Sequence, residues 1–193
     1  MTISNENANN LNIFEKIIKS QGFLPNSNIK KIPLKILFIC SGNICRSAYA
    51  EFIFKKLISE SEILKGKIIV NSAAVQFRND SIDERIVSIL KEDGIDESIS
   101  RKHVSRYKDD YLELFYDADI IIGMSKSHKI NLPKDIRNNQ NSKFVQLAEI
   151  AANEMADIED PFFISDFADF KKIVMKIKDY LIKLKEKLEL FFI

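Results

Sequence analysis

The sequence predicts an α/β fold, a three-layer sandwich with a central four-stranded parallel sheet and helices on both faces. Three observations predict it. Short apolar runs alternate along the chain with stretches of helical period. The first of these runs is apolar on both faces after its leading lysine, as a strand buried on both faces is. The chain has 193 residues, 46% of them hydrophobic, enough for one domain with its own core.

Residues Met1 to Lys31 stand apart as an extension, polar and Asn-rich. One short helix is predicted there, around Leu11 to Ser20, with Leu11, Phe14 and Ile18 on one face. The compact domain is expected over residues 32–193. Its first strand is Lys35-Ile-Leu-Phe-Ile39. A helix from Ser47 to Ser59 follows, carrying Ala50, Ile53, Phe54 and Leu57 on one stripe. Lys67 to Asn71 reads as the second strand. Ile82 to Glu92 is helical and stops before Gly94, a natural terminating residue. Asp119 to Met124 and Lys143 to Gln146 complete the four strands. The last helix, Asp166 to Leu190, places Phe167, Phe170, Val174, Ile177, Leu181, Leu184 and Leu188 on its inner face and most of its lysines on the others.

A net charge of +1 gives no electrostatic footprint for nucleic acid. No stretch approaches the roughly 18 apolar residues of a membrane span, so no stable membrane insertion is expected. The start MTISNENANN has neither the basic nor the apolar part of a signal peptide. The two cysteines, Cys40 and Cys45, share one short segment, which is no disulfide framework and points to a reducing compartment. A cytoplasmic monomer is the expectation.

In a parallel sheet ligands bind at the carboxyl ends of the strands. The turn after the first strand reads Cys40-Ser41-Gly42-Asn43-Ile44-Cys45-Arg46-Ser47 and opens a helix. A helix N-terminus offers unpaired N–H groups and partial positive charge, and inward-curling loop amides add an anion nest. Gly42 and Asn43 are residue types that tolerate left-handed backbone angles. Ser41 to Arg46 are therefore the expected oxyanion-binding residues. Cys40 lies at the base as nucleophile, since a helix N-terminus and a nearby cation favour a thiolate. Arg46 supplies the cation and a fork for two phosphate oxygens. Ser47 is placed to donate to the sulfur. Read on residues alone, an inert buried Cys at a strand end fits as well.

A phenolate leaves badly unless protonated, so a general acid is needed. Asp160, before Pro161, Phe162 and Phe163, is the candidate, with the two aromatics as a wall for a flat substrate. An ordinary Asp-Pro turn is the competing reading. His103 alone reads as a surface histidine.

Together these pieces resemble the low-molecular-weight protein tyrosine phosphatases, from about Ile32 to the C-terminal helix. That family's C-x-x-N-x-C-R-S loop is matched by Cys40, Asn43, Cys45, Arg46 and Ser47. Its late Asp-Pro-aromatic turn is matched by Asp160 to Phe163, a Ser-Ala stretch by Ser72-Ala73-Ala74, and a His-x-x-Arg segment by His103 to Arg106. The resemblance implies a phosphocysteine on Cys40, phosphate held by Arg46, and Asp160 as acid and then base. It implies loop support from Asn43, Ser47, Ser72 and His103, and a substrate wall of Ile44, Phe77, Phe162 and Phe163. No cofactor and no metal is implied, and the partner is a phosphotyrosine-containing protein. Relatives acting on phosphoarginine tend to carry Thr where this chain has Ile44. Ala48 replaces the proline usual after the loop serine, and phenylalanines replace the tyrosines some members carry after Asp-Pro. Alternative functions are a phosphoarginine phosphatase, an arsenate reductase, which lacks its relay because no Cys follows Cys45, and an inactive phosphate-binding module. Cys45 reads equally as a loop filler and as an oxidation partner of Cys40.

Overall fold

Strand β1 (Leu34–Cys40) is buried at every residue but Lys35 and pairs on both sides, which its apolar run from Ile36 onward requires. The computed structural model describes residues 15–16, 33–139 and 143–193. The extension and its predicted helix lie outside the described residues, except Glu15 and Lys16, which are helical.

The elements follow as α1 (Arg46–Ser59), β2 (Ile68–Ala74), α2 (Glu84–Glu92), α3 (Glu97–Ser100), α4 (Leu112–Asp117), β3 (Ile120–Gly123), α5 (Lys134–Asn138), β4 (Phe144–Gln146), α6 (Leu147–Ala152) and α7 (Phe167–Phe192). The four strands form a parallel sheet in the order β2-β1-β3-β4. β1 thus has its successor on one side and β3 on the other. This is the switch point, where the loops leaving neighbouring strands diverge and open a crevice.

Alternation along the strands divides the core in two. Leu34, Ile36, Phe38 and Cys40 face the layer of α1, α2, α6 and α7. Phe38 meets Phe54 edge-on at 5.5 Å. Leu37 and Ile39 face the thinner layer of Phe115, Leu132 and Ile136. Ser72 shares the face of Ile68 and Val70 on β2, so the same parity carries this one hydroxyl toward α1.

The long helices keep to the expected ranges because their ends carry local signals. Asp83 and Asp166 cap α2 and α7 by accepting the N–H groups of Arg85 and Asp169. Beyond α2, Gly94 takes φ +79° and the chain closes with Ile95 N–H to Leu90 O at 2.9 Å. Phe167 departs from the expected inner stripe of α7: it is 41% exposed, and Ile173 joins the buried set instead. The helix begins at Phe167, and residues 165–169 all lie at the surface. Helices α3 to α6 have no counterpart in the periodicity, since each is at most six residues long, under two turns.

Candidate active site

The loop between β1 and α1 wraps around the sulfur of Cys40. Asn43 takes φ 53°, the left-handed turn that lets its N–H point back to Cys40 Sγ at 3.3 Å. Ser47 Oγ lies 3.0 Å from the same sulfur. Because Asn43 Nδ2 donates to Ser47 Oγ at 2.9 Å, the serine proton is free to point at the sulfur. Gly42 departs from the left-handed role expected of it, as its φ is not positive. It leaves room instead: a Cβ there would meet Asn79 Nδ2 at 2.6 Å and displace the atom that donates to Gly42 O at 3.1 Å.

The rest of the brace is reached through Asn43. Its Nδ2 donates to Ser72 Oγ at 2.7 Å, its Oδ1 accepts Arg106 N–H at 3.0 Å, and its carbonyl accepts His103 Nε2–H at 2.8 Å. Ser72 donates its own hydroxyl hydrogen to Glu51 Oε2 at 2.5 Å. Glu51 is ion-paired with Arg106 and Lys55. Burial pushes Glu51 up, but Arg106 and Lys55 more than offset this and leave it below the usual carboxylate range. The buried acceptor therefore stays ionised. His103 is buried, not on the surface as a lone histidine there would be.

Arg46 is 4% exposed. Nη1 donates to Ile158 O at 3.0 Å, Nη2 donates to Ser41 Oγ at 3.2 Å and forms an ion pair with Asp160, and buried Nε has no protein partner. Asp160 accepts Phe162 N–H at 3.2 Å, with Pro161 starting a short 3₁₀ turn. The N-terminus of α1 has no side-chain cap, so its first amides are left to a ligand. Cys40, Arg46 and Asp160 share a cleft of about 350 Å³. Ser41, Gly42, Asn43, Ile44 and Cys45 line its floor, and Phe77, Phe162 and Phe163 line its rim. The three rings are 61%, 44% and 86% exposed, an apolar cluster of the kind that marks a binding surface. Ser47, Ser72 and His103 lie behind the floor, outside the lining.

The two thiols differ. Cys45 donates to Asp83 Oδ2 at 3.6 Å. Burial, and then the Asp83 charge, push the Cys45 thiol far up, which keeps it protonated in the reduced protein. Asp83 is held in turn by Arg85, whose guanidinium donates to Ile164 O at 2.5 Å and Phe162 O at 3.1 Å and stacks on Phe170 at 4.0 Å. One residue pair thus ties the Cys40–Ser47 loop to the Asp160 turn.

Sequence reasoning missed Glu51, Arg106 as its partner, Asn79, Ser105, which donates to Gly42 O at 2.9 Å, Arg85 and His128. Only Glu51 left a signal. It is a charge within the first turns of a helix whose neighbours Ala48, Ala50 and Phe54 are all buried.

Two buried histidines give a stability prediction. Burial lowers His103, and burial together with Arg46 lowers His128 to about 3, against an opposing pull from Asp157. Below the ordinary value of 6.5 the unfolded chain binds protons that the folded protein does not. Stability is therefore full above 6.5 and declines as pH falls toward the folded values, by about 1.4 kcal/mol per pH unit per group. Urea midpoints at pH 7 and pH 5 measure it. His128→Gln should flatten the slope by about one proton; an unchanged slope would mean that the ring titrates normally in the folded protein.

Among the described residues no helix is long and apolar enough to cross a membrane, and no group of three or more His, Cys, Asp or Glu is placed to hold a metal ion.

The family model of the low molecular weight phosphotyrosine protein phosphatases matches residues 35–190. A phosphatase of that description from Saccharomyces cerevisiae is 32% identical over 164 residues, covering 80% of this chain and 98% of its own. The crystal structure of YfkJ from Bacillus subtilis superposes with a TM-score of 0.68 at 26% identity, covering 84% of this chain and 98% of that one. The YwlE arginine phosphatase from Geobacillus stearothermophilus gives 0.67 at 26% identity, over 82% and 94%. The matched span runs from β1 to the last turns of α7 and encloses the whole cleft, so the chain belongs to the low molecular weight phosphotyrosine protein phosphatase family.

Proposed function

We propose that the protein hydrolyses phosphotyrosine in protein substrates, with Cys40 as nucleophile, Arg46 as phosphate clamp and Asp160 as general acid. One observation carries this reading. Cys40 Sγ receives Asn43 N–H and Ser47 Oγ at an uncapped helix terminus, and shares its cleft with Arg46, whose buried Nε has no protein partner. Two donors hold the sulfur in place at the base of the loop, and a guanidinium N–H without a protein partner suits an oxyanion.

A phosphate dianion takes over the Arg46 Nη2 donor now shared with Asp160. The released carboxylate takes up a proton from solvent and becomes the acid for the leaving oxygen. The Cys40 thiolate attacks phosphorus, the P–O bond to the phenol breaks, and the Asp160 proton goes to that oxygen. Asp160, now a carboxylate, takes a proton from water. The water oxygen attacks the phosphocysteine, the P–S bond breaks, and phosphate leaves with the thiolate restored. The brace from Glu51 to Asn43 keeps the loop amides aimed at the phosphorus oxygens. We place the enzyme in the cytoplasm, where both free thiols stay reduced.

Hydrolysis of p-nitrophenyl phosphate with chelator present tests the reading. Activity should persist and be blocked competitively by vanadate. An inactive protein that still binds phosphate would point to a binding module.

The aromatic rim favours a phenyl phosphate over phosphoarginine, and Ile44 on the cleft floor reinforces it. Ile44→Thr, which replaces an ethyl branch with a hydroxyl, should shift the kcat/KM ratio toward phosphoarginine by about tenfold, the low end for a methylene-sized change in a pocket. Measured on matched phosphopeptides, an unmoved ratio would remove Ile44 from the specificity argument.

A further inference from the structure

His128 has no part in the reaction above, yet it sits against the phosphate loop. It lies in the turn Lys126–Asn131 and is 1% exposed. Its Nδ1 accepts the N–H of Ser125 at 3.2 Å. An imidazolium has no acceptor nitrogen, so this bond requires a neutral ring with its proton on Nε2. Burial and the nearby Arg46 charge favour the same neutral form. Nε2 is 3.3 Å from Ser41 Oγ and, carrying the proton, donates to it. Arg46 Nη2 donates to the same oxygen at 3.2 Å.

A serine hydroxyl has two acceptor lone pairs and one hydrogen. Here both lone pairs are used, and neither partner can accept the hydrogen in return. Ser41 lines the cleft beside Cys40 and Arg46, so its O–H is left to donate there. We propose that His128 is a positioning residue that, through Ser41, commits a side-chain hydroxyl to donating to the oxyanion held in the loop. The proposal deepens the phosphatase reading and rests on it. The loop amides bind any phosphate group. The His128–Ser41 pair adds one donor whose direction is set from outside the loop, and it steadies Arg46 through the same oxygen.

The test is a double-mutant cycle on the inhibition constant of inorganic phosphate against p-nitrophenyl phosphate. Ser41→Ala and His128→Phe should each weaken phosphate about tenfold, the scale of one hydrogen bond to a charged group. The double variant should be no weaker than either single one. His128→Gln, whose amide can still donate to Ser41, should recover most of the loss, which a purely structural role would not predict. Additive losses in the double variant, or an unchanged constant in His128→Phe, would overturn the assignment. Nitrogen-15 NMR of the wild-type protein gives a second readout that needs no variant to fold: the proton should be on Nε2, and a proton on Nδ1 overturns the inference. If phosphate does not inhibit the wild type, the phosphatase reading itself falls and takes this proposal with it. If phosphate inhibits wild type and variants alike, only the role of His128 falls.

Discussion

Cys40→Ser abolishes turnover, with a fall in kcat of at least about 10⁴-fold, the scale seen when a covalent nucleophile is removed, while phosphate still binds. The loss follows from the surroundings of the sulfur. The site supplies Asn43 N–H and Ser47 Oγ as donors to Cys40, and donors stabilise a charged nucleophile without removing its proton. A thiol can be carried to its anion by such a setting; an alcohol is too weak an acid. Binding persists because it rests on Arg46 and the loop amides, which the substitution leaves in place. Initial rates with p-nitrophenyl phosphate, set beside calorimetric titration with phosphate, separate the two effects. Residual activity within tenfold of wild type would mean that water, not sulfur, attacks the phosphorus.

The second large effect belongs to Asp160. Asp160→Ala should lower kcat by about 10²- to 10³-fold for phosphotyrosine, the range for loss of a general acid. The penalty should shrink for p-nitrophenyl phosphate, whose leaving group departs as an anion far more easily than tyrosine does. A purely positional role would cost the two substrates equally. The geometry makes the contrast sharp. Asp160 lies at the edge of the cleft, its side chain one-third exposed and paired with Arg46, and its turn is anchored by Arg85 through Phe162 O and Ile164 O. The substitution therefore removes a carboxyl group from an anchored turn and leaves the phosphate-binding floor intact. Equal losses on both substrates would take the proton-transfer role away from Asp160.

The parts legible in the sequence share one property: their signals are local. The run Lys35–Ile39 announced a buried strand because both of its faces are apolar. The loop from Cys40 to Ser47 could be read because strand, turn and helix start follow one another within a few residues. Asp160-Pro161 could be read because proline restricts the residue before it. Resemblance to a family added Ser72 and His103, which residue chemistry alone would have left as an ordinary strand serine and a surface histidine.

The tertiary structure decided what depends on distant segments meeting. Glu51, Ser72 and the half-buried Arg106 form one network with Asn43, although they come from α1, β2 and a later loop. The sheet order that sets β1 at the switch point comes from β3 pairing on the side opposite β2. Gly42 looked like a residue chosen for its backbone angles, yet what it provides is room for Asn79. Phe167 fitted the apolar period of its helix and stayed exposed, because a period gives a face and not the place where packing begins. The sequence by itself determined the elements and singled out the Cys40–Ser47 loop and the Asp160–Pro161 turn, since periodicity, capping and proline act over a few residues. Only the folded chain decided which polar groups would be buried together, because burying each one costs free energy until a partner from elsewhere in the fold satisfies it.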